Sequence, residues 1–265
     1  MDERVSVNGT TLRARVEGKP GAPWVVLVHS LGTGLDLWDP QVAAFGVDYR
    51  ILRYDMRGHG GSDAPAGSYT MRNLADDLLD LLRHFAIARA HVVGISLGAL
   101  TALEVAIRQP PEISSIAVCD SRADMPPEFA KAIDDRNRLI REKGMAAIAD
   151  AMPERWLTPA TLQNRPAIAD KIRKMVLAAS VEGFVGCSEA IKSAGLMDRI
   201  GAIRLPSLFV AADQDSGLPI EVMRAMQAKV PGSGFAVIPA ASHLSNLEQP
   251  EVFNAILLQY LRRVG

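Results

Sequence analysis

Residues 91–98 read His91-Val92-Val93-Gly94-Ile95-Ser96-Leu97-Gly98. An apolar run leads into two small residues that flank a serine, and a helical pattern continues from Leu97 to about Arg108. A sharp strand-to-helix turn lifts the serine hydroxyl above the sheet, and it tolerates only small neighbours such as Gly94 and Gly98. The stretch therefore predicts a nucleophilic Ser96 at a helix N-terminus, where free N–H groups favour developing negative charge.

On both sides of this turn, short apolar runs alternate with helical patterns. Runs that are apolar on both faces suit the strands of a parallel sheet covered by helices on each side. An N-terminal hairpin with its turn at Asn8-Gly9 precedes them. The sequence thus predicts an α/β fold with a mostly parallel sheet, its strands and helices lying over 24–28, 50–54, 70–85, 91–93, 97–108, 113–119, 207–212, 220–229, 235–238 and 250–261.

The alternation stops after the strand that ends at Cys119. No strand pattern follows for about 80 residues, and prolines interrupt charged helical stretches. We interpret this segment as a helical insertion that covers one edge of the sheet. The predicted organisation is a core domain of residues 1–121 and 200–265 and a helical cap of residues 122–199.

A serine hydroxyl needs a base that takes its proton, and the chain has five histidines. His243 directly follows the last predicted strand. Ligands of open parallel sheets bind at the carboxyl ends of the strands, and a histidine after the serine fits the chain order of this class of site. We therefore predict that His243 is the base, in preference to His29, His59, His84 and His91.

The base in turn needs an acid that orients it and stabilises the imidazolium. Three aspartates follow predicted strands. Asp215 lies far enough into its loop to turn towards His243, so it is the first candidate. Asp213 is the second, and Asp120, one strand earlier, is the third.

Two backbone N–H groups are the candidate oxyanion donors. One belongs to Leu97, directly after the serine, and the other to Leu31, in the glycine-containing loop after the first central strand. This loop resembles a dinucleotide-binding fingerprint only weakly, because Leu37 stands where that pattern needs a glycine.

Composition excludes several classes of function. The 265 residues carry a formal net charge of −1 with no basic block, so we expect no nucleic-acid partner. Two cysteines do not make a disulfide framework, and no cluster of side chains has metal-ligand spacing. The charged N-terminus lacks an apolar run, which predicts no signal peptide, no membrane span and a cytoplasmic location. We expect a small-molecule substrate and no cofactor.

Over nearly its whole length the chain resembles the α/β-hydrolase fold superfamily, and within it the 3-oxoadipate enol-lactonases of aromatic-acid degradation. The segments that carry the resemblance are the oxyanion loop, the loop after the second central strand, two parts of the cap and the histidine loop: Ser30–Thr33 with Leu37–Gln41, Leu52–Gly60, Glu154–Pro159, Gly183–Cys187 and Ser242–Pro250.

The resemblance implies a triad of Ser96, Asp215 and His243, since the family's acid precedes a proline by four positions and Pro219 stands there. It implies hydrolysis of an ester or lactone through an acyl-enzyme. An enol-lactone substrate carries a carboxylate, so a basic cap side chain should enter the pocket, with Trp156 as a cap anchor or pocket wall. The basic candidates are Arg138, Arg141, Lys143 and Arg155.

Three other functions remain open from the sequence. A carboxylesterase of small acyl esters has the same triad with a less polar pocket. A carbon–carbon bond hydrolase acting on ring-cleavage products uses the same residues. A ligand-binding receptor built on a hydrolase scaffold can also retain them.

Overall fold

The computed structural model describes residues 2–265, which form one eight-stranded sheet in the order β1-β2-β4-β3-β5-β6-β7-β8. The pairs β1–β2 and β2–β4 are antiparallel, and all other neighbours are parallel. The strands are β1 (Asp2–Val7), β2 (Thr10–Gly18), β3 (Trp24–Val28), β4 (Arg50–Tyr54), β5 (Ala90–Ile95), β6 (Ile113–Cys119), β7 (Ser207–Ala212) and β8 (Gly234–Ile238).

Twelve α-helices occur within the described residues. Helix α1 packs against α12, α2 packs against α3, and α3 contacts three central strands, β3, β5 and β6. The helices are α1 (Asp39–Phe45), α2 (Met71–His84), α3 (Leu97–Arg108), α4 (Pro127–Lys143), α5 (Ala146–Ala149), α6 (Ala151–Trp156), α7 (Pro159–Asn164), α8 (Pro166–Ala178), α9 (Val181–Lys192), α10 (Ile220–Lys229), α11 (Ser245–Glu248) and α12 (Pro250–Val264).

The predicted α/β fold with a mostly parallel sheet is confirmed, and its strands follow the apolar runs of the sequence. Every residue of β5 and of β7 is buried, as expected for strands covered on both faces. The N-terminal hairpin turns at Asn8 and Gly9, both with positive φ, which matches the twist of the flanking strands.

The register of the parallel strands places their carboxyl ends at one edge. Ile95 pairs with Cys119, Cys119 with Val210, and Val210 with Ala236. The loops that follow β3, β5, β6, β7 and β8 therefore open at the same edge of the sheet. Each carries at least one of the residues that the sequence marks as chemically important.

The segment between β6 and β7 contains the six helices α4 to α9 and no strand. Helix α9 meets the loop after β4 at two glycines, Gly58 and Gly183. A Cβ on Gly58 would lie 2.0 Å from the Cα of Gly183, so only glycine allows this approach. The bounds of the cap, 122–199, stay a prediction. Among residues 2–265 no helix has the length and apolarity needed to cross a membrane.

Candidate active site

Ser96 lies at the turn between β5 and α3, with φ 55° and ψ −115°. The turn is tight: a Cβ on Gly94 would lie 2.1 Å from the carbonyl oxygen of Gly98, and one on Gly98 would lie 2.0 Å from that of Val28. Both positions therefore require glycine. The strained backbone holds the Ser96 side chain at the start of α3, above the sheet edge.

The structure brings three of the predicted site residues into one chain of hydrogen bonds. Ser96 Oγ lies 2.9 Å from Nε2 of His243, and Nδ1 of His243 lies 2.8 Å from Oδ2 of Asp215. The other carboxylate oxygen of Asp215 accepts from the N–H groups of Gly217 and Leu218, each at 3.0 Å. With the Nδ1 proton directed at Asp215, the Nε2 lone pair faces the Ser96 hydroxyl.

The other two candidate acids lie elsewhere. Asp213 is exposed, and its carboxylate accepts a 3.4 Å contact from the N–H of Ala241. Asp120 is buried and accepts from the N–H of Ala212 at 2.9 Å and from the hydroxyl of Ser245. Of the three aspartates ranked from the sequence, Asp215 is the one that contacts His243.

The electrostatics of the hydrogen-bonded residues Ser96, His243 and Asp215 favour a charged Asp215 and a basic His243 imidazole. Burial alone would lower the pKa of His243, but the charge of Asp215 and its hydrogen bond hold that pKa above its usual value. Burial opposes ionisation of Asp215, yet the His243 charge and hydrogen bond, with two backbone N–H groups, keep the pKa of Asp215 below its usual value. Burial raises the pKa of Asp120 to about 7.

The loop after β3 carries the candidate oxyanion donor Leu31. Leu31 and Leu97 both line the cavity beside Ser96. Leu97 opens α3, so its N–H has no partner within the helix, and within residues 2–265 the N–H of Leu31 donates to no protein acceptor. Gly32 follows with φ +72°, and a Cβ there would lie 2.9 Å from the ring of Phe184.

Two buried histidines hold this loop in place. His59 Nε2 accepts from the N–H of Gly32 at 2.9 Å, and His29 Nε2 accepts from the N–H of Met56 at 2.9 Å. Burial lowers the pKa of His29 to about 4 and that of His59 to about 3. Both rings are therefore neutral near pH 7, as their role as acceptors requires. The sequence placed both in strand-end loops but gave them no role.

A cavity of about 410 Å³ opens beside Ser96 and His243. Trp156, at the end of α6, forms part of its wall and is stacked on the His243 ring with centroids 6.2 Å apart. Of the basic residues that the sequence nominated, Arg155 lines this cavity. Arg138 instead pairs with Asp135 on the surface, and Arg141 and Lys143 are exposed.

Arg136, which is not among the basic residues nominated from the sequence, also lines the cavity. Its guanidinium lies 5.0 Å from the Phe184 ring and donates to Ser188 at 3.3 Å, while its buried Nε has no partner among residues 2–265. Burial and the nearby Arg155 lower the pKa of Arg136 to about 10, so the side chain stays cationic at neutral pH. Helical periodicity indicates its position, because Arg136 follows the buried Ile133 by three residues.

The cavity contains few other charges. Arg122 pairs with Asp124 at 2.9 Å, and Glu154 also lies at the wall. Neither Arg136 nor Arg155 forms an ion pair within the part of the chain that the structure describes. That same part contains no cluster of three or more His, Cys, Asp or Glu side chains suited to a metal ion.

Comparison with known proteins agrees with this geometry. A family model for the alpha/beta hydrolase fold matches residues 23–250. The chain is 33% identical to 3-oxoadipate enol-lactonase 2 of Acinetobacter baylyi, over 93% of this chain and 91% of that protein. The crystal structure of an enol-lactonase from Burkholderia xenovorans LB400 matches with a TM-score of 0.93 and 35% identity, covering 98% of this chain and all of that one.

A thermophilic esterase from Thermogutta terrifontis, solved with malate bound, matches with a TM-score of 0.93 and 30% identity over 99% of both chains. The family match spans most of the chain, and the relatives above 30% identity extend over nearly all of it. The chain is therefore a hydrolase that belongs to the α/β-hydrolase fold family.

Proposed function

We propose that this hydrolase opens a lactone that carries a carboxylate, with 3-oxoadipate enol-lactone as the best candidate. The observation that carries the proposal is that Arg136 lines the same cavity as Ser96 and forms no ion pair within residues 2–265. An unpaired, partly buried guanidinium is costly, and a substrate carboxylate would remove that cost. The similarity to two enol-lactonases supports the same substrate class.

The reaction begins at Ser96. His243 takes the hydroxyl proton as the Ser96 oxygen attacks the lactone carbonyl, and Asp215 stabilises the resulting imidazolium. The N–H groups of Leu31 and Leu97 hold the oxyanion of the tetrahedral intermediate, where one such donor contributes roughly 3 kcal/mol. Since both donors are fixed before the substrate arrives, little reorganisation accompanies the development of charge.

Collapse of the intermediate breaks the ring ester bond and releases an enol oxygen, which His243 protonates. The enol then becomes a ketone, which makes ring opening favourable. Water, deprotonated by the same histidine, attacks the acyl-Ser96 carbonyl, and the second intermediate releases a carboxylate and restores the serine. No cofactor enters these steps.

The helical segment supplies the selectivity in this proposal. Residues 1–121 and 200–265 form the core that holds the reacting groups, and residues 122–199 form a cap over them. From the cap, Arg136 and Arg155 attract the carboxylate and Trp156 closes the cavity over His243. The ordinary alternative for an arginine on a cap helix is a solvated ion pair, as Arg138 forms with Asp135.

A carboxylesterase is the second candidate, favoured by the similarity to the Thermogutta terrifontis esterase. The two functions share the triad and differ in what the cavity selects. The malate bound to that esterase is itself a carboxylate, which fits a cationic cavity in either case.

The deciding measurement is kcat/KM on 3-oxoadipate enol-lactone beside p-nitrophenyl acetate and p-nitrophenyl butyrate. We expect the lactone to be preferred, and Ser96→Ala to lower kcat on every substrate by about 10⁴-fold or more. Ser6→Ala, which changes an exposed serine of β1, is the matched control. Fast ester hydrolysis with an inert lactone would favour the carboxylesterase, and no hydrolysis of either would favour a carbon–carbon hydrolase or a ligand-binding receptor.

A further inference from the structure

Glu248 is a buried carboxylate at the end of α11, five residues after His243, and 1% of its surface is exposed. Within residues 2–265 no cation pairs with this carboxylate. A buried charge without a counter-ion needs hydrogen-bond donors, and Glu248 has three. The N–H and the hydroxyl of Thr158 donate to Oε1 at 2.8 and 2.7 Å, and the N–H of Ser242 donates to Oε2 at 2.6 Å.

These donors come from two separate parts of the chain. Thr158 lies between α6 and α7, in the helical segment, and its hydroxyl also accepts from the N–H of Thr161 at the start of α7. Ser242 directly precedes His243. The single carboxylate of Glu248 therefore ties the peptide before His243 to the segment that carries Trp156.

Two further contacts join the same segments. The N–H of Leu244, the residue after His243, donates to the carbonyl of Trp156 at 3.3 Å. Arg165, between α7 and α8, donates to the backbone carbonyl of Glu248 at 2.7 Å. His243 is thus held on both sides by bonds that reach residues 156–165, and the Trp156 ring is stacked on its imidazole.

We infer that Glu248 is a positioning residue that couples the placement of the helical segment to the orientation of His243. The inference rests on the proposed role of His243 as the base. Glu248 does not contact the reacting atoms and acts through Ser242 and Thr158. Because a displacement of about 1 Å at a reacting group costs about a hundredfold in rate, loosening this link should lower kcat more than it raises KM.

Glu248→Gln tests this link, because the glutamine amide would place N–H donors where one of the protein donors now finds an oxygen. We expect kcat on the lactone to fall about 10- to 100-fold with KM changed less than about threefold. Glu251→Gln is the matched control, since Glu251 is an exposed carboxylate on α12. It should leave both constants unchanged.

A double-mutant cycle tests whether Glu248 and Thr158 act through the same link. Thr158→Val removes one of the three donors and should lower kcat by about three- to tenfold. Adding it to Glu248→Gln should cost little more, because contacting residues of one network are not additive. Losses in kcat that multiply, or a Glu248→Gln enzyme within threefold of wild type, would overturn the inference. If Glu248→Gln does not fold, the kcat-to-KM split of Thr158→Val decides.

A measurement independent of activity separates this inference from the proposed function. The Hε1 proton resonance of His243, assigned by its loss in His243→Gln, should carry a ring-current shift from Trp156 that Trp156→Phe reduces. At a pH where the imidazole is neutral, Glu248→Gln should move this resonance towards its position in Trp156→Phe, and Glu251→Gln should not. An unmoved resonance contradicts the coupling. If wild type hydrolyses neither substrate, the proposed function fails and this resonance still decides the positioning role.

Discussion

The two walls of the active-site cavity differ in how their polar groups are paired. The sheet wall, which comprises Ser96, His243 and Asp215, forms a closed chain of hydrogen bonds at 2.8 to 2.9 Å. The helical wall, which comprises Arg136, Arg155, Trp156 and Glu154, carries two arginines that form no ion pair within residues 2–265. The side chains of the sheet wall are therefore paired with one another in the free protein, whereas the two arginines of the helical wall have no ionic partner within residues 2–265.

The largest effect is expected from breaking the sheet wall at Asp215. Asp215→Asn keeps the shape of the side chain but removes the charge that stabilises the imidazolium and fixes its tautomer, so kcat should fall by about 10⁴-fold. Asp213→Asn, two residues earlier and exposed, should stay within about threefold of wild type. Steady-state hydrolysis of the preferred substrate measures both. A large loss in Asp213→Asn with a small one in Asp215→Asn would reverse the assignment.

A smaller and selective effect is expected from breaking the helical wall at Arg136. A hydrogen bond to a charged group contributes about 1.5–3 kcal/mol, so Arg136→Met should lower kcat/KM on the carboxylate-bearing lactone by about 10- to 100-fold. Hydrolysis of neutral p-nitrophenyl butyrate should be unchanged or faster. Because methionine replaces an unpaired charge with apolar volume, the Tm should be unchanged or raised.

Arg138→Met is the matched control for this substitution, since Arg138 lies on the same helix and pairs with Asp135 at the surface. It should alter neither substrate. Equal losses on the anionic lactone and the neutral ester in Arg136→Met would show that Arg136 shapes the cavity without recognising charge. The helical wall would then select substrates by the shape of the cavity and not by its charge.

The sequence predicted the sheet wall better than the helical wall, for a physical reason. The turn at Ser96 needs glycine at positions 94 and 98, because a Cβ there would lie about 2 Å from backbone atoms. The two glycines around the serine are therefore visible in the sequence itself. The apolar runs of the sequence also predict where the strands end. The sequence ranked Asp215 first among the candidate acids by its loop position, and in the structure Asp215 is the candidate that contacts His243.

On the helical wall the relevant information is three-dimensional. Arg136 and Arg138 are the same residue type on one helix, and only the rotation of α4 against α9 directs the first into the cavity and the second to solvent. The buried Ile133 and Ile140 mark the face of α4 that packs inward, and Arg136 lies between them on that face, three residues after the first and four before the second. The contacts of Glu248 could not be predicted from the sequence either, because its donor Thr158 lies 90 residues away in the chain.

The smallest expected effect is a shift in the pH at which His243 titrates. It is seen by comparing wild type with Asp215→Asn, in which His243 lacks its carboxylate partner. The base must be neutral, and the pKa of His243 is raised by Asp215 against the opposing effect of burial. For wild type, kcat/KM should therefore fall as the pH drops through a value above the usual one for histidine. In Asp215→Asn burial acts without that opposing charge, so His243 should titrate at lower pH than in wild type. The Hε1 proton of His243, followed against pH in both proteins, measures this directly.

Asp120→Asn should move the same titration in the same direction by less, because Asp120 is not bonded to the imidazole and burial already raises its own pKa to about 7. A larger displacement in Asp120→Asn than in Asp215→Asn would mean that the carboxylate after β6 dominates the base.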